Sequence, residues 1–183
     1  MDSPIKHKLE YDDLPSAPED GNRYELLDGD LAVTPSPSPA HQRIVRDLQL
    51  ALIDYFHGRG LGEVFLAPLD VILTACDVVE PDILVVSDPD QVSKRGIEGP
   101  PLLVVEVLSP STRERDRTIK AQRYAALGVR HYWLVDPTEK RVECLRGKHG
   151  TYDLVGEARG GQLLTHPDWD GLSIDLGRLW PPA

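Results

Sequence analysis

EPDILVVSDPDQVSKRGIEGPPLLVVEVLS (residues 80–109) holds two apolar runs, Ile83-Leu84-Val85-Val86 and Leu102-Leu103-Val104-Val105. Neither run alternates with polar residues, which is the pattern of strands covered on both faces in the middle of a sheet. Each carries a carboxylate where such a strand should not have one: Asp82 at the mouth of the first, Glu106 inside the second. An ionised carboxylate in an apolar layer costs several kcal/mol unless something compensates it. Adjacent strands lie about 5 Å apart, so two carboxylates at neighbouring strand ends repel unless a cation sits between them. A hard divalent ion meets that need, because Mg²⁺ takes one or two protein carboxylates and fills its shell with water or phosphate oxygens. Taken singly, Asp82 could cap a turn and Glu106 could pair with an arginine.

Outward from this stretch the periodicities give an α/β chain. Asp28-Gly29 between two short apolar runs is a hairpin signal. Ser38 can cap a helix that begins at Pro39 and presents Ile44, Val45, Leu48, Ala51, Leu52, Tyr55 and Phe56 on one face. EVFLA, LDVIL, DILVVS, LLVVEVLS and HYWLVD read as strands, and KRVECLRGKHGTYDLVG as a second hairpin. Residues 113–127 read as a helix stopped by Gly128. The C-terminal LSIDLGRLW is open between strand and helix. The expected architecture is a mixed central sheet flanked by helices, with residues 1–21 as an extended arm and 22–183 as one domain.

Composition narrows the function. Forty per cent hydrophobic and 27% charged residues describe an ordinary globular chain, and no run is long enough for a bilayer span. The start, MDSPIKHKLEYDDLPSAPEDG, lacks the apolar stretch of a secretory signal, and Cys76 and Cys144 suggest free thiols; the expectation is a cytoplasmic protein. The net charge of −10 excludes a generic nucleic-acid coat. Its distribution is uneven, since residues 110–150 hold 10 Lys+Arg against 5 Asp+Glu, or +5. Arg113, Arg115, Arg117 and Arg123 in that segment could contact phosphates or form a solvated helix face. No phosphate-binding glycine loop is spelled.

YELLDG, SPSPAHQRIV, VEPDILVV, VVEVLSPSTRERDRTIKAQRYAALGV and HYWLVDP together resemble the Uma-type putative restriction endonucleases, a branch of the PD-(D/E)xK nuclease superfamily. The likeness covers roughly residues 22–146. It implies a restriction-endonuclease-like fold, a Mg²⁺ site (Mn²⁺ substituting) at Asp82 and Glu106, and hydrolysis of DNA phosphodiesters. Glu25 matches a recurring position and would help hold the metal or its waters; Asp70 is a lesser candidate. The sequence departs from the D/E-x-K pattern, because Leu108 stands two residues after Glu106. Lys120 is the candidate replacement. In the stripe Asp116, Lys120, Tyr124, Leu127 it shares a side with Tyr124 and Leu127, which would face the sheet; the alternative is a surface pair with Asp116, worth a few tenths of a kcal/mol. His41, in the first turn of the first helix, could move a proton.

Two other readings stay open. Leu108 and the net acidity would suit a module that keeps the fold without turnover, and weak electrostatics toward a polyanion would suit a small-phosphoester hydrolase. A nuclease cutting both strands of a two-fold duplex is expected to be a homodimer, with the arm and the apolar LGRLWPPA as possible contacts. Removing Asp82 or Glu106 is expected to leave the protein folded, and even to stabilise it by relieving repulsion.

Overall fold

The computed structural model describes residues 7–181. Asp28 and Gly29 both have positive φ, 55° and 78°, giving the tight turn that Asp-Gly favours. They join β1 (Arg23–Leu27) to β2 (Asp30–Thr34). Ser38 Oγ accepts from the His41 backbone N–H at 3.2 Å, and Pro39 opens α1 (Pro39–Phe56). The cap and the proline together fix where this helix starts. Its expected face is buried, with Ala51 only half-buried.

Six short strands follow: β3 (Glu63–Leu66), β4 (Val71–Thr74), β5 (Asp77–Val79), β6 (Ile83–Val86), β7 (Ile97–Glu98) and β8 (Leu103–Val107). The second helix runs through Arg113–Arg115, Asp116–Lys120 and Ala121–Ala126, its middle stretch π-helical. Next come β9 (His131–Asp136), β10 (Arg141–Lys148), β11 (Thr151–Arg159), β12 (Leu163–His166) and β13 (Trp169–Asp175). The C-terminal stretch left open by sequence is thus a strand followed by a short 3-10 turn, Leu176–Arg178.

The strands form a six-stranded sheet in the order β11-β10-β9-β8-β6-β3, a five-stranded sheet in the order β2-β1-β5-β4-β7, and the hairpin β12-β13. In the larger sheet β8 and β9 run parallel while the other pairs are antiparallel, so the sheet is mixed. Both faces of its central strands are covered, as their unbroken apolar runs required. Leu103, Val105, Val107 and Trp133 meet α1 and β13 on one face. Val104, Leu108, Tyr132 and Leu134 meet Tyr124 of the second helix and residues of the smaller sheet on the other. Full burial of such side chains contributes roughly 1.5–3 kcal/mol each.

The N-terminal segment differs from the expected extended arm. Tyr11–Ser16 is a 3-10 helix, and hydrogen bonds from Leu9 N to Gly29 O (3.1 Å) and Tyr11 N to Ala75 O (2.8 Å) lay this segment against the smaller sheet. Residues 1–6 of the arm lie outside the described residues. Within the C-terminal LGRLWPPA, Trp180 is docked, its indole N–H donating to Gly160 O at 2.6 Å. Among the described residues no helix is long and apolar enough to cross a membrane.

Candidate active site

β6 and β8 are antiparallel with Ile83 opposite Val105, and continuing that register by one residue sets Asp82 opposite Glu106. Side chains alternate along a strand. Glu106 therefore shares a face with Val104 and Leu108, and the second helix covers that face. A lysine at 108 would have pointed into the same layer. The structure puts a lysine there from above: Lys120, 2% exposed, donates to Glu106 Oε1 at 2.9 Å and to Glu25 Oε1 at 2.8 Å. The i,i+4 pair with Asp116 is present at 3.9 Å, but both partners are buried, so it is not the surface pair of the alternative reading. The stripe is right for Asp116, Lys120 and Tyr124, while Leu127 is only half-buried. π-Helical turns are uncommon and concentrate at functional sites, and this one carries both Asp116 and Lys120 at its ends.

Three groups hold Asp82. Arg23 donates to Oδ1 at 3.0 Å, the Val107 backbone N–H donates to Oδ2 at 2.8 Å, and His41 Nε2 lies 3.0 Å from Oδ2. The capped start of α1 delivers His41 to this position. Glu25 reaches in from the smaller sheet, fixed by the Glu80 N–H at 2.9 Å and by Arg115 3.6 Å away. Tyr124 completes the set, its hydroxyl donating to Glu106 Oε1 at 3.0 Å. Arg23, His41, Asp82, Glu106, Asp116 and Lys120 line one cleft of about 290 Å³.

The two carboxyls titrate apart. Burial raises the Glu106 pKa to about 8; Lys120 opposes the shift, and Asp116, Asp82 and Glu25 add to it. Burial also works against the Asp82 charge, but the His41 hydrogen bond, the Arg23 charge and the Val107 amide outweigh it and hold its pKa below the usual 3.8. Burial alone would discharge Lys120, yet Glu106, Glu25 and Asp116 keep its pKa above 10.5. The expectation that losing either carboxylate relieves repulsion is therefore corrected for Asp82. That charge is well compensated, and Glu106 carries the unrelieved burden.

Both hydrogen bonds at Glu106 fall on Oε1, so Oε2 has no donor among the described residues, and Asp116 Oδ1 is buried without one. The open oxygens of Glu106 and Asp116 suit a hard cation beside a second carboxylate, whereas Asp82 already takes Arg23 on Oδ1 and the Val107 amide and His41 on Oδ2, and would have to give up one of these contacts to join it. Glu25 fits less well as a direct ligand, since Lys120 and the Glu80 amide take its Oε1 and Arg115 faces its Oε2.

The remaining sequence candidates lie elsewhere. Asp70 borders a separate cleft with Glu80 and Tyr11, and burial raises its pKa. Arg113, Arg117 and Arg123 pair with Asp136, Glu143 and Asp77, so the basic segment spends much of its charge inside the molecule. Sequence reasoning missed Arg23 and Tyr124 as site residues. The signal for Arg23 was present: it stands two positions before Glu25 on one strand, and hence on the same face.

A mixed sheet with antiparallel β6 and β8 feeding two opposed carboxylates, under a helix that supplies a lysine, defines a restriction-endonuclease-like protein. The family model Uma2, described as "Putative restriction endonuclease", matches residues 9–177, and the chain belongs to that family. The fold is similar to the crystal structure of "a putative nuclease belonging to DUF820" from Anabaena variabilis ATCC 29413. That likeness has a TM-score of 0.74 at 19% identity and covers 94% of this chain and 97% of the other. No curated protein matches the sequence significantly.

Proposed function

We propose that this chain is a cytoplasmic, metal-dependent endonuclease that hydrolyses DNA phosphodiester bonds. The observation that carries the reading is Lys120: a buried ammonium from the covering helix, 2.9 Å from Glu106, on the strand face where the D/E-x-K lysine would project. Asp82 and Glu106 are assigned to hold Mg²⁺ or Mn²⁺, with Glu25 placing the lysine more than the ion. When bound, the ion supplies Lewis acidity toward a phosphoryl oxygen and lowers the pKa of a bound water. Lys120 offers a fixed positive charge to the anion that develops at phosphorus, the type of preorganised donor worth about 10²–10³ in rate. His41 would accept or deliver a proton there, a reading supported by its hydrogen bond to Asp82 on the cleft wall.

A homodimer is part of the proposal, since a two-fold duplex is most simply cut by a two-fold enzyme; light scattering that returns a mass near 20.3 kDa would count against it. One observation favours a second reading, a non-catalytic module. Arg23, His41 and the Val107 amide already satisfy Asp82, so the network is nearly self-neutralised. Cleavage of plasmid and short duplexes with and without Mg²⁺ or Mn²⁺, beside a small aryl phosphate, tests both. The nuclease reading expects metal-dependent cleavage that Glu106→Gln abolishes while the circular dichroism spectrum stays native. Turnover of the aryl phosphate alone would select a small-phosphoester hydrolase, and no turnover of either would select the module.

A further inference from the structure

His131 opens β9, His166 closes β12, and Asp168 sits in the turn before Trp169 opens β13. One nitrogen of each imidazole and one oxygen of Asp168 all lie within 4.8 Å of one another, the one such group of three or more ligating side chains among the described residues. His131 is 1% exposed and His166 5%. Asp168 is the outermost member, with its side chain 23% exposed. Three features mark the cluster as more than packed imidazoles. His166 Nε2 is buried with no hydrogen-bond partner. His131 Nε2 stands 3.8 Å from Asp168 Oδ2, too far for a hydrogen bond and close to the separation of two ligands on one small ion. The carboxylate is also oriented, because Arg146 holds Oδ1 at 2.7 Å and leaves Oδ2 toward His131. His166 Nδ1 accepts from the Asp168 backbone N–H at 3.1 Å, so the ring proton sits on Nε2, and a cation bound at Nε2 would shift that proton to Nδ1 and release this contact.

We propose that His131, His166 and Asp168 form a second metal site, for a borderline divalent transition ion of the zinc class. Two imidazoles and one carboxylate are the donor set that such ions prefer, whereas Mg²⁺ prefers oxygen alone. Three protein ligands leave a fourth position for water, on the side where Asp168 reaches solvent. The site is separate from the Asp82–Glu106 cleft. His131 pairs with Leu103 and Glu106 with Leu134, three residues further along the sheet, or about 10 Å. His131 shares the strand face of Trp133, opposite to that of Leu134. An ion here would fasten the β12-β13 hairpin to the start of β9.

The test uses the full chain, stripped with a chelator and titrated with Zn²⁺ by calorimetry. Co²⁺ absorption reports the geometry, and Cu²⁺ quenching of tryptophan fluorescence reports the place, because the Trp169 ring lies 4.1 Å from that of His166. The expected result is one equivalent of Zn²⁺, a tetrahedral Co²⁺ spectrum and Cu²⁺ quenching, all retained in Asp82→Asn/Glu106→Gln. His166→Gln and Asp168→Asn should each weaken Zn²⁺ at least tenfold. Asp168→Asn changes the most exposed ligand, so it remains informative if His166→Gln does not fold. Zn²⁺ binding unchanged in Asp168→Asn, or lost in Asp82→Asn/Glu106→Gln, would overturn the assignment, as would no binding at all.

Discussion

Replacing Lys120 with methionine keeps the stem and deletes one charge, and the structure sets the consequence. Nζ lies 2.8 Å from Glu25 Oε1 and 2.9 Å from Glu106 Oε1, and all three side chains are buried. At an effective dielectric near 20, each contact is worth roughly 6 kcal/mol of Coulomb energy when both groups are ionised, most of which only offsets the cost of burying the ions. Deleting one partner of a buried pair leaves that cost exposed, and the usual loss is about 3–5 kcal/mol. For a chain of this size the melting temperature should fall by about 6–20 °C. A proton on one carboxyl can relieve the strain, and Glu106 already titrates near 8, so the loss should be smaller at pH 6 than at pH 8.5. Lys120→Met/Glu106→Gln removes both charges and should recover a large part of the loss; a double-mutant cycle from urea unfolding in chelator should give a coupling above about 1 kcal/mol. A Lys120→Met protein within about 0.5 kcal/mol of wild type is what an exposed i,i+4 pair with Asp116 predicts, and it would refute the buried-network account.

Glu106 also predicts a pH dependence of its own. Its pKa rises from 4.5 to about 8 on folding, so between those values the native state holds a proton that the unfolded chain has released. Stability of the metal-free protein should fall as pH rises through that window, and Glu106→Gln should flatten the slope in urea unfolding. Binding of Mn²⁺ requires the carboxylate, so its affinity should increase from pH 6 to pH 8 with proton uptake by buffer, read by calorimetry in buffers of different ionisation enthalpy. Asp82→Asn, in contrast, should destabilise the metal-free protein by about 1–3 kcal/mol, because Arg23 and His41 lose their shared partner; a gain in stability would show that the repulsion is at Asp82 after all. Gly29→Ala should cost about 1–2 kcal/mol in thermal unfolding, since φ is +78° and the new Cβ would come within 2.6 Å of Lys8 Cβ; no change would show that the turn has relaxed.

Much of this molecule is legible from local pattern. Unbroken apolar runs identified β6 and β8 as central strands, the Ser38-Pro39 cap and the spacing of Ile44 through Phe56 fixed α1, and Asp28-Gly29 fixed its hairpin. Period-two alternation also put Glu106 and Leu108 on one face, and the resemblance to the D/E-x-K pattern implied that a cation was missing there. The short strands β5, β7 and β12 were not legible, because two to four residues carry too little periodicity and their pairing is set by distant partners. Only the tertiary structure decided what surrounds each charge. It joined Lys120 to Glu25 across 95 residues and Asp82 to Arg23 across 59. It also gathered His131 with His166 and Asp168 beside a turn that the sequence did not mark. Sequence pattern reports which face of its own element a side chain occupies, while a buried charge is governed by whichever element covers that face, and that contact is made only when the layers pack.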